Sequence, residues 1–199
     1  MKSLLIYVHG KGGNAGEADH YKLIFDGDVV GLDYTAKTPW EAKTEFPQFF
    51  DKISAGYDKV TLVANSIGAY FCMCSLADKS IDKALFISPI VDMEKLIYKL
   101  MHWAGVSEES LAKDGEITTD FGETLSWQYL CYVKDNPIKW NIPTYILYGE
   151  KDNLTELDTI SSFSKGINAR LTVMEGGEHW FHTEEQMKFL DDWFCLVQD

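Results

Sequence analysis

The sequence predicts an α/β protein built on a doubly wound, mainly parallel six-stranded sheet with helices on both faces. Three observations predict it. Short apolar runs recur between segments of helical periodicity. Those runs are continuous rather than alternating, as in strands covered on both faces. The residues that end them are polar and glycine-rich, as at the ligand-facing edge of an open sheet. With 199 residues, of which 46% are hydrophobic and 25% charged, the chain reads as one domain over 1–199, large enough to bury a core.

Taken in order, residues 3–8 (Ser-Leu-Leu-Ile-Tyr-Val) form a central strand that stops at His9-Gly10-Lys11-Gly12-Gly13-Asn14, a loop whose glycines let backbone approach a ligand. A second strand follows near 28–34. Thr38-Pro39-Trp40-Glu41 opens a helix, with Thr38 as cap, Pro39 at the first helical position and Glu41 closing a capping box. Phe46, Phe49, Phe50 and Ile53 continue it, and Pro47 either kinks it or marks its true start. Residues 59–65 are a β-branched strand that turns into a helix at Ser66, and 83–88 form a fourth strand ended by Pro89.

The alternation then breaks. Met93, Leu96, Ile97, Leu100 and Met101 fit an amphipathic helix ended by Gly105. Ser107-Glu108-Glu109 opens a second short helix, and a third is expected over about 123–134. Residues about 91–139 therefore read as a mostly helical insertion, longer than a simple connection needs. Strands resume at 143–148 and 170–174, joined by a helix over about 155–165. Thr183 with Gln186 caps a last helix that should bury Met187, Leu190, Phe194 and Val197.

The net charge is −13, and Arg170 is the only arginine among 18 cationic residues. Phosphate contacts need clustered cations, so neither a nucleic acid nor an anionic membrane surface is an expected partner. The first apolar run is too short for a signal-peptide core, and no stretch approaches the ~20 apolar residues of a membrane span. Cys72, Cys74, Cys131 and Cys195 lack metal-ligand spacing and read as free thiols, so a cytoplasmic location is expected.

Chemistry gathers at four strand ends: the 9–14 loop, Ser66, Asp152 and His179. Ala64-Asn65-Ser66-Ile67-Gly68 puts small residues two before and two after a serine, where a sharp strand-to-helix turn crowds the backbone. The chain order is Ser, Asp, His. Elbow and order together resemble the α/β-hydrolase superfamily over nearly the whole chain, with Ala64 in place of the first glycine of Gly-x-Ser-x-Gly. The resemblance implies that Ser66 is a nucleophile, His179 its base and Asp152 the group that orients the base. It also implies an oxyanion hole from the backbone N–H groups of Ile67 and Lys11, with Gly12 as alternate for the latter.

Glu150 is an alternative acid and His182 an alternative base, whereas His20 and His102 read as surface residues. No Cys, His or carboxylate cluster completes a metal site around His179 and His182, so no metal is expected. The resemblance implies no cofactor, and a lid in the 91–139 insertion. Apolar side chains there and beside the base, notably Met93, Ile97, Trp127 and Trp180, with Gly12, are expected to bind a small substrate through an uncharged acyl or aryl group. The implied activity is a serine hydrolase, esterase-like, cleaving a small ester, thioester or amide through an acyl-enzyme. The alternatives are an idle binding protein on the same scaffold and an acyltransferase. The sequence carries no signal for oligomeric state.

Overall fold

The computed structural model describes residues 1–198. The chain falls into two units, Met1–Val91 with the segment from Lys139 onward, and Asp92–Ile138. The first unit starts with β1 (Ser3–Val8), a 3-10 helix (Ala15–Leu23), β2 (Asp28–Gly31) and α1 (Pro39–Ser54). β3 (Lys59–Asn65), α2 (Ser66–Ser75) and β4 (Lys83–Ile87) follow. The second unit holds α3 (Met93–Ala104), α4 (Glu108–Asp114), β5 (Glu116–Thr118), β6 (Thr124–Ser126) and α5 (Trp127–Asp135). The chain returns to the first unit with β7 (Thr144–Gly149), α6 (Leu157–Gly166), β8 (Arg170–Met174) and α7 (Glu184–Val197).

In the first unit six strands form one sheet in the order β2-β1-β3-β4-β7-β8, and every pairing is parallel. Winding reverses between β1 and β3, because the chain runs from β1 outward to β2 and then crosses back. Open sheets bind ligands at such a switch point. Register sharpens this: Val8 pairs with Ala64, so His9 and Asn65 follow side by side at the ends of β1 and β3.

Both faces are covered. Leu5, Tyr7, Val63, Leu85 and Leu147 share a core with Tyr21 of the 3-10 helix and with Leu190, Trp193 and Phe194 of α7. By the period of two, Leu4, Ile6, Val8, Leu62 and Phe86 point to the opposite face, and none is more than 1% exposed. α1 and α2 meet through Phe46 and Phe71, whose ring centroids are 6.2 Å apart. Two-sided burial is why these strands read as unbroken apolar runs.

α1 starts at Pro39 under the Thr38–Glu41 capping box, and Pro47 lies inside it rather than at its start. β2 ends at Gly31, three residues before the expected Tyr34. A side chain at 31 would strike the Ala15 carbonyl at 2.0 Å, and the Leu32 N–H makes the last bond to β1, donating to the Tyr7 carbonyl at 2.8 Å. α6 starts two residues late because Asp152 Oδ1 accepts the N–H groups of Leu154 and Thr155, which holds those residues in a turn. In α7, Trp193 is buried, whereas Met187 and Val197 are only half-buried.

The second unit departs most from expectation. Residues 124–126 are not helical: β6 pairs antiparallel with β5 through a turn in which Gly122 has φ +84°. The Thr119 hydroxyl closes that turn, donating to the Glu123 carbonyl and accepting the Glu123 N–H. α5 therefore begins at Trp127, with Ser126 as its cap. α3 and α4 follow the expected periodicity, and Gly105 ends α3 in the left-handed region at φ +66°.

Candidate active site

Ser66 sits where β3 becomes α2, with φ +51°, a left-handed value unusual for a residue bearing a Cβ. Three features hold it there. Its carbonyl accepts the Ile90 N–H at 3.2 Å. Gly10 approaches it from the first loop, leaving only 3.2 Å between an imagined Cβ at 10 and the Ser66 Cβ. Gly68 lets the His9 carbonyl pass, since a Cβ there would lie 2.2 Å from that oxygen. The small residues of the elbow thus bring the 9–14 loop and the serine together.

The loops after β7 and β8 are joined by backbone. Lys151 N–H donates to the Gly177 carbonyl at 2.7 Å, and Glu150 N–H to the Met174 carbonyl at 3.0 Å. Gly149 permits this approach, because a Cβ there would meet the Glu178 carbonyl at 2.4 Å. Asp152 and His179 meet as a result: Nδ1 of His179 is 2.7 Å from Oδ2 of Asp152, and the Asp152 side chain is fully buried. A carboxylate can only accept, so Nδ1 carries the proton and Nε2 presents a lone pair. That nitrogen lies 2.8 Å from Ser66 Oγ. Asp152 stays buried as an acceptor because its other oxygen takes the two backbone N–H groups that delay α6.

The alternatives are placed elsewhere. Glu150 accepts the Gly176 N–H at 2.9 Å and braces the loop. His182 turns Nδ1 to the Trp180 carbonyl at 2.8 Å, and its ring stacks on the indole of Trp180. His102 is exposed on the last turn of α3. His20 is half-buried, bonds Asp191 at 2.7 Å and lines the cavity described next, which its sequence context did not suggest.

A cavity of about 750 Å³ opens over Ser66 and His179. Lys11, Gly12 and Trp180 are among its lining residues. Ile87, Phe181 and Leu190 add apolar lining, and Tyr7 and Glu17 add polar lining. Ile67 is the second residue of α2, and Asn65, the cap position, makes no side-chain capping bond, so its side chain covers none of the first-turn N–H groups. The structure thus assembles Ser66, Asp152, His179, Lys11, Gly12, Ile67 and Trp180 at one edge of the sheet. Met93, Ile97 and Trp127 belong to the other unit, where the first two are buried and Trp127 is half-buried at the start of α5.

Three residues beside the serine escaped sequence reasoning. Asn65 Nδ2 donates to the Tyr7 hydroxyl at 2.9 Å, and that hydroxyl donates to Glu17 Oε2 at 2.5 Å. Glu17 Oε1 accepts the Asn14 N–H at 3.1 Å within a capping box on the 3-10 helix. The spacing Asn14-x-x-Glu17 was the signal available for it.

No family model matches the sequence, and no curated protein matches it. Solved structures do. Est1E from Butyrivibrio proteoclasticus superposes with a TM-score of 0.74 at 18% identity, over 99% of this chain and 88% of that one. Est1E with ferulic acid bound gives 0.71 at 19% identity, over 98% and 89%. Mouse alpha/beta hydrolase domain-containing protein 10 gives 0.76 at 14% identity, over 98% and 88%. At such identities the likeness is one of architecture, and the fold is that of the α/β hydrolases.

Proposed function

We propose that the protein is a serine hydrolase that cleaves a small ester, or a thioester or amide, through an acyl-enzyme on Ser66. The observation that carries this reading is the unbroken hydrogen-bond line from Ser66 Oγ through the His179 ring to buried Asp152, with links of 2.8 and 2.7 Å. A serine hydroxyl attacks a carbonyl only when a base takes its proton. In this scheme His179 Nε2 accepts it as the Oγ–C bond forms, and Asp152 stabilises the imidazolium and fixes its tautomer. The oxyanion is met by the Ile67 N–H and by the N–H of Lys11, with Gly12 the alternate. His179 then protonates the leaving alcohol, and water repeats the sequence to release the acid.

The apolar wall of Ile87, Phe181 and Leu190 favours an uncharged acyl or aryl group. One structure of Est1E has ferulic acid bound, and the proposal extends to esters of aromatic acids here. Each methylene buried adds under ~1 kcal/mol, at ~25 cal/mol per Å². A p-nitrophenyl ester series from acetate to decanoate tests this. We expect kcat/KM to rise over the first methylenes and then level as the cavity fills. A flat profile refutes the apolar-pocket part, and no turnover of any ester favours an idle binding scaffold. A lid function for the insertion at about 91–139 belongs to the same proposal, and deleting it should change chain-length preference.

A further inference from the structure

An oxyanion hole works only if its donors are in place before the reaction, and here one donor would come from a glycine-rich loop. The loop's middle is a turn closed by the Gly13 N–H on the Gly10 carbonyl at 3.2 Å, so where its donors point depends on how its two ends are anchored. Its near end is held by His9: the ring stacks on Tyr34 with centroids 4.2 Å apart, and the Tyr34 hydroxyl donates to the His9 carbonyl at 2.9 Å. Its far end is Asn14, whose N–H is taken by Glu17. The same carboxylate accepts from Tyr7, which accepts from Asn65, the residue before Ser66.

We propose that Glu17, acting through Tyr7, is a positioning residue that ties the far end of the 9–14 loop to the nucleophile elbow and so sets the oxyanion donors. The inference rests on the serine-hydrolase reading of Ser66. The relay is built for one direction of bonding. Burial first, and the bond to Glu17 second, push the Tyr7 phenol far above its usual range, so it remains a donor to the carboxylate. Gly13 completes the fit, because a Cβ there would lie 2.7 Å from Glu17 Oε1. Asn65 Oδ1 is buried and has no hydrogen-bond partner among the described residues, which leaves the amide one spare acceptor beside the relay.

That spare acceptor makes a conservative variant informative. In Glu17→Gln the amide oxygen still takes the Asn14 N–H, while Nε2 donates to the Tyr7 oxygen. The Tyr7 proton then turns to Asn65 Oδ1 after an amide flip, and the loop remains tied. Glu17→Ala removes both bonds. Tyr7→Phe cuts the relay but leaves the Asn14–Glu17 box intact.

The experiment measures p-nitrophenyl butyrate kinetics, inhibition by an alkylboronic acid and fluorophosphonate labelling for the wild type and the three variants, below each variant's melting temperature. Displaced donors should lower kcat about 10- to 100-fold in Glu17→Ala, with KM within about threefold. Boronate affinity should fall by the same factor as kcat/KM, Tyr7→Phe should follow, and Glu17→Gln should recover to within about fivefold of wild type. Wild-type kcat in both Glu17→Ala and Tyr7→Phe overturns the inference, as does a rise in KM with boronate affinity unchanged, which would make Glu17 a substrate contact. A wild type that neither labels nor turns over refutes the serine-hydrolase reading itself, and this inference with it.

Discussion

The Cα of Gly68 faces the His9 carbonyl so closely that a methyl group at 68 would stand 2.2 Å from its oxygen. The obstacle is backbone, so it cannot rotate away as a side chain could and yields only if the loop shifts. Gly68→Ala should therefore push the 9–14 loop away from Ser66, at a cost of about 1–3 kcal/mol in stability and at least about tenfold in kcat. Gly12 gives the contrast. Nothing lies within 4 Å of a Cβ there, and only its φ of +77° opposes a side chain, so Gly12→Ala should cost about 1–2 kcal/mol of backbone strain. Denaturant midpoints with steady-state kinetics check both.

Two histidines and two carboxylates compete for roles near the serine, and their bonds separate them. His179→Ala should be nearly as damaging as loss of the nucleophile, about 10⁴- to 10⁶-fold in kcat, while His182→Ala stays within about tenfold of wild type. Asp152→Asn should lower kcat by about 10⁴, because an amide there favours the wrong tautomer. Glu150→Gln should change it little, since the Glu150 carboxylate accepts the backbone N–H of Gly176, away from the serine and the base. A larger loss in Glu150→Gln than in Asp152→Asn would reverse the assignment.

Much of the fold and site was legible because the decisive signals were local. The elbow is a five-residue pattern, and parallel topology forces strand-end residues to one edge of the sheet. Asp152 and His179, 27 positions apart, could thus be paired by their places after β7 and β8. What stayed hidden depends on contacts between distant segments. The Tyr7–Asn65 bond spans 58 positions and looks, in sequence, like an apolar strand residue next to a turn residue. The β5–β6 hairpin was missed because Thr124-Leu125-Ser126 is too short to show alternation and runs directly into a helix. Gly122 was its only local mark.

Buried phenols give a pH prediction. Burial raises Tyr7, Tyr21 and Tyr34 well above the ordinary phenol range and pushes Tyr148 up to about 12. In the unfolded chain phenols lose their protons near pH ~10, whereas the folded protein keeps them. The unfolded state then binds fewer protons, so stability falls as pH rises. Their contribution should be intact below pH ~10 and decline above it, through the raised folded values. Urea midpoints against pH, with phenolate absorbance, check this. Tyr7→Phe should give a shallower alkaline decline, and native-state titration of these phenols near pH ~10 would contradict it.

The most direct test of the account is the site of covalent capture. The wild-type protein treated with a fluorophosphonate should carry one adduct, placed on Ser66 by peptide mass spectrometry. Ser66→Ala should fold normally, take no label, and lose about 10⁴- to 10⁶-fold in kcat on a p-nitrophenyl ester. An adduct on any other residue, or undiminished ester hydrolysis by Ser66→Ala, would contradict it.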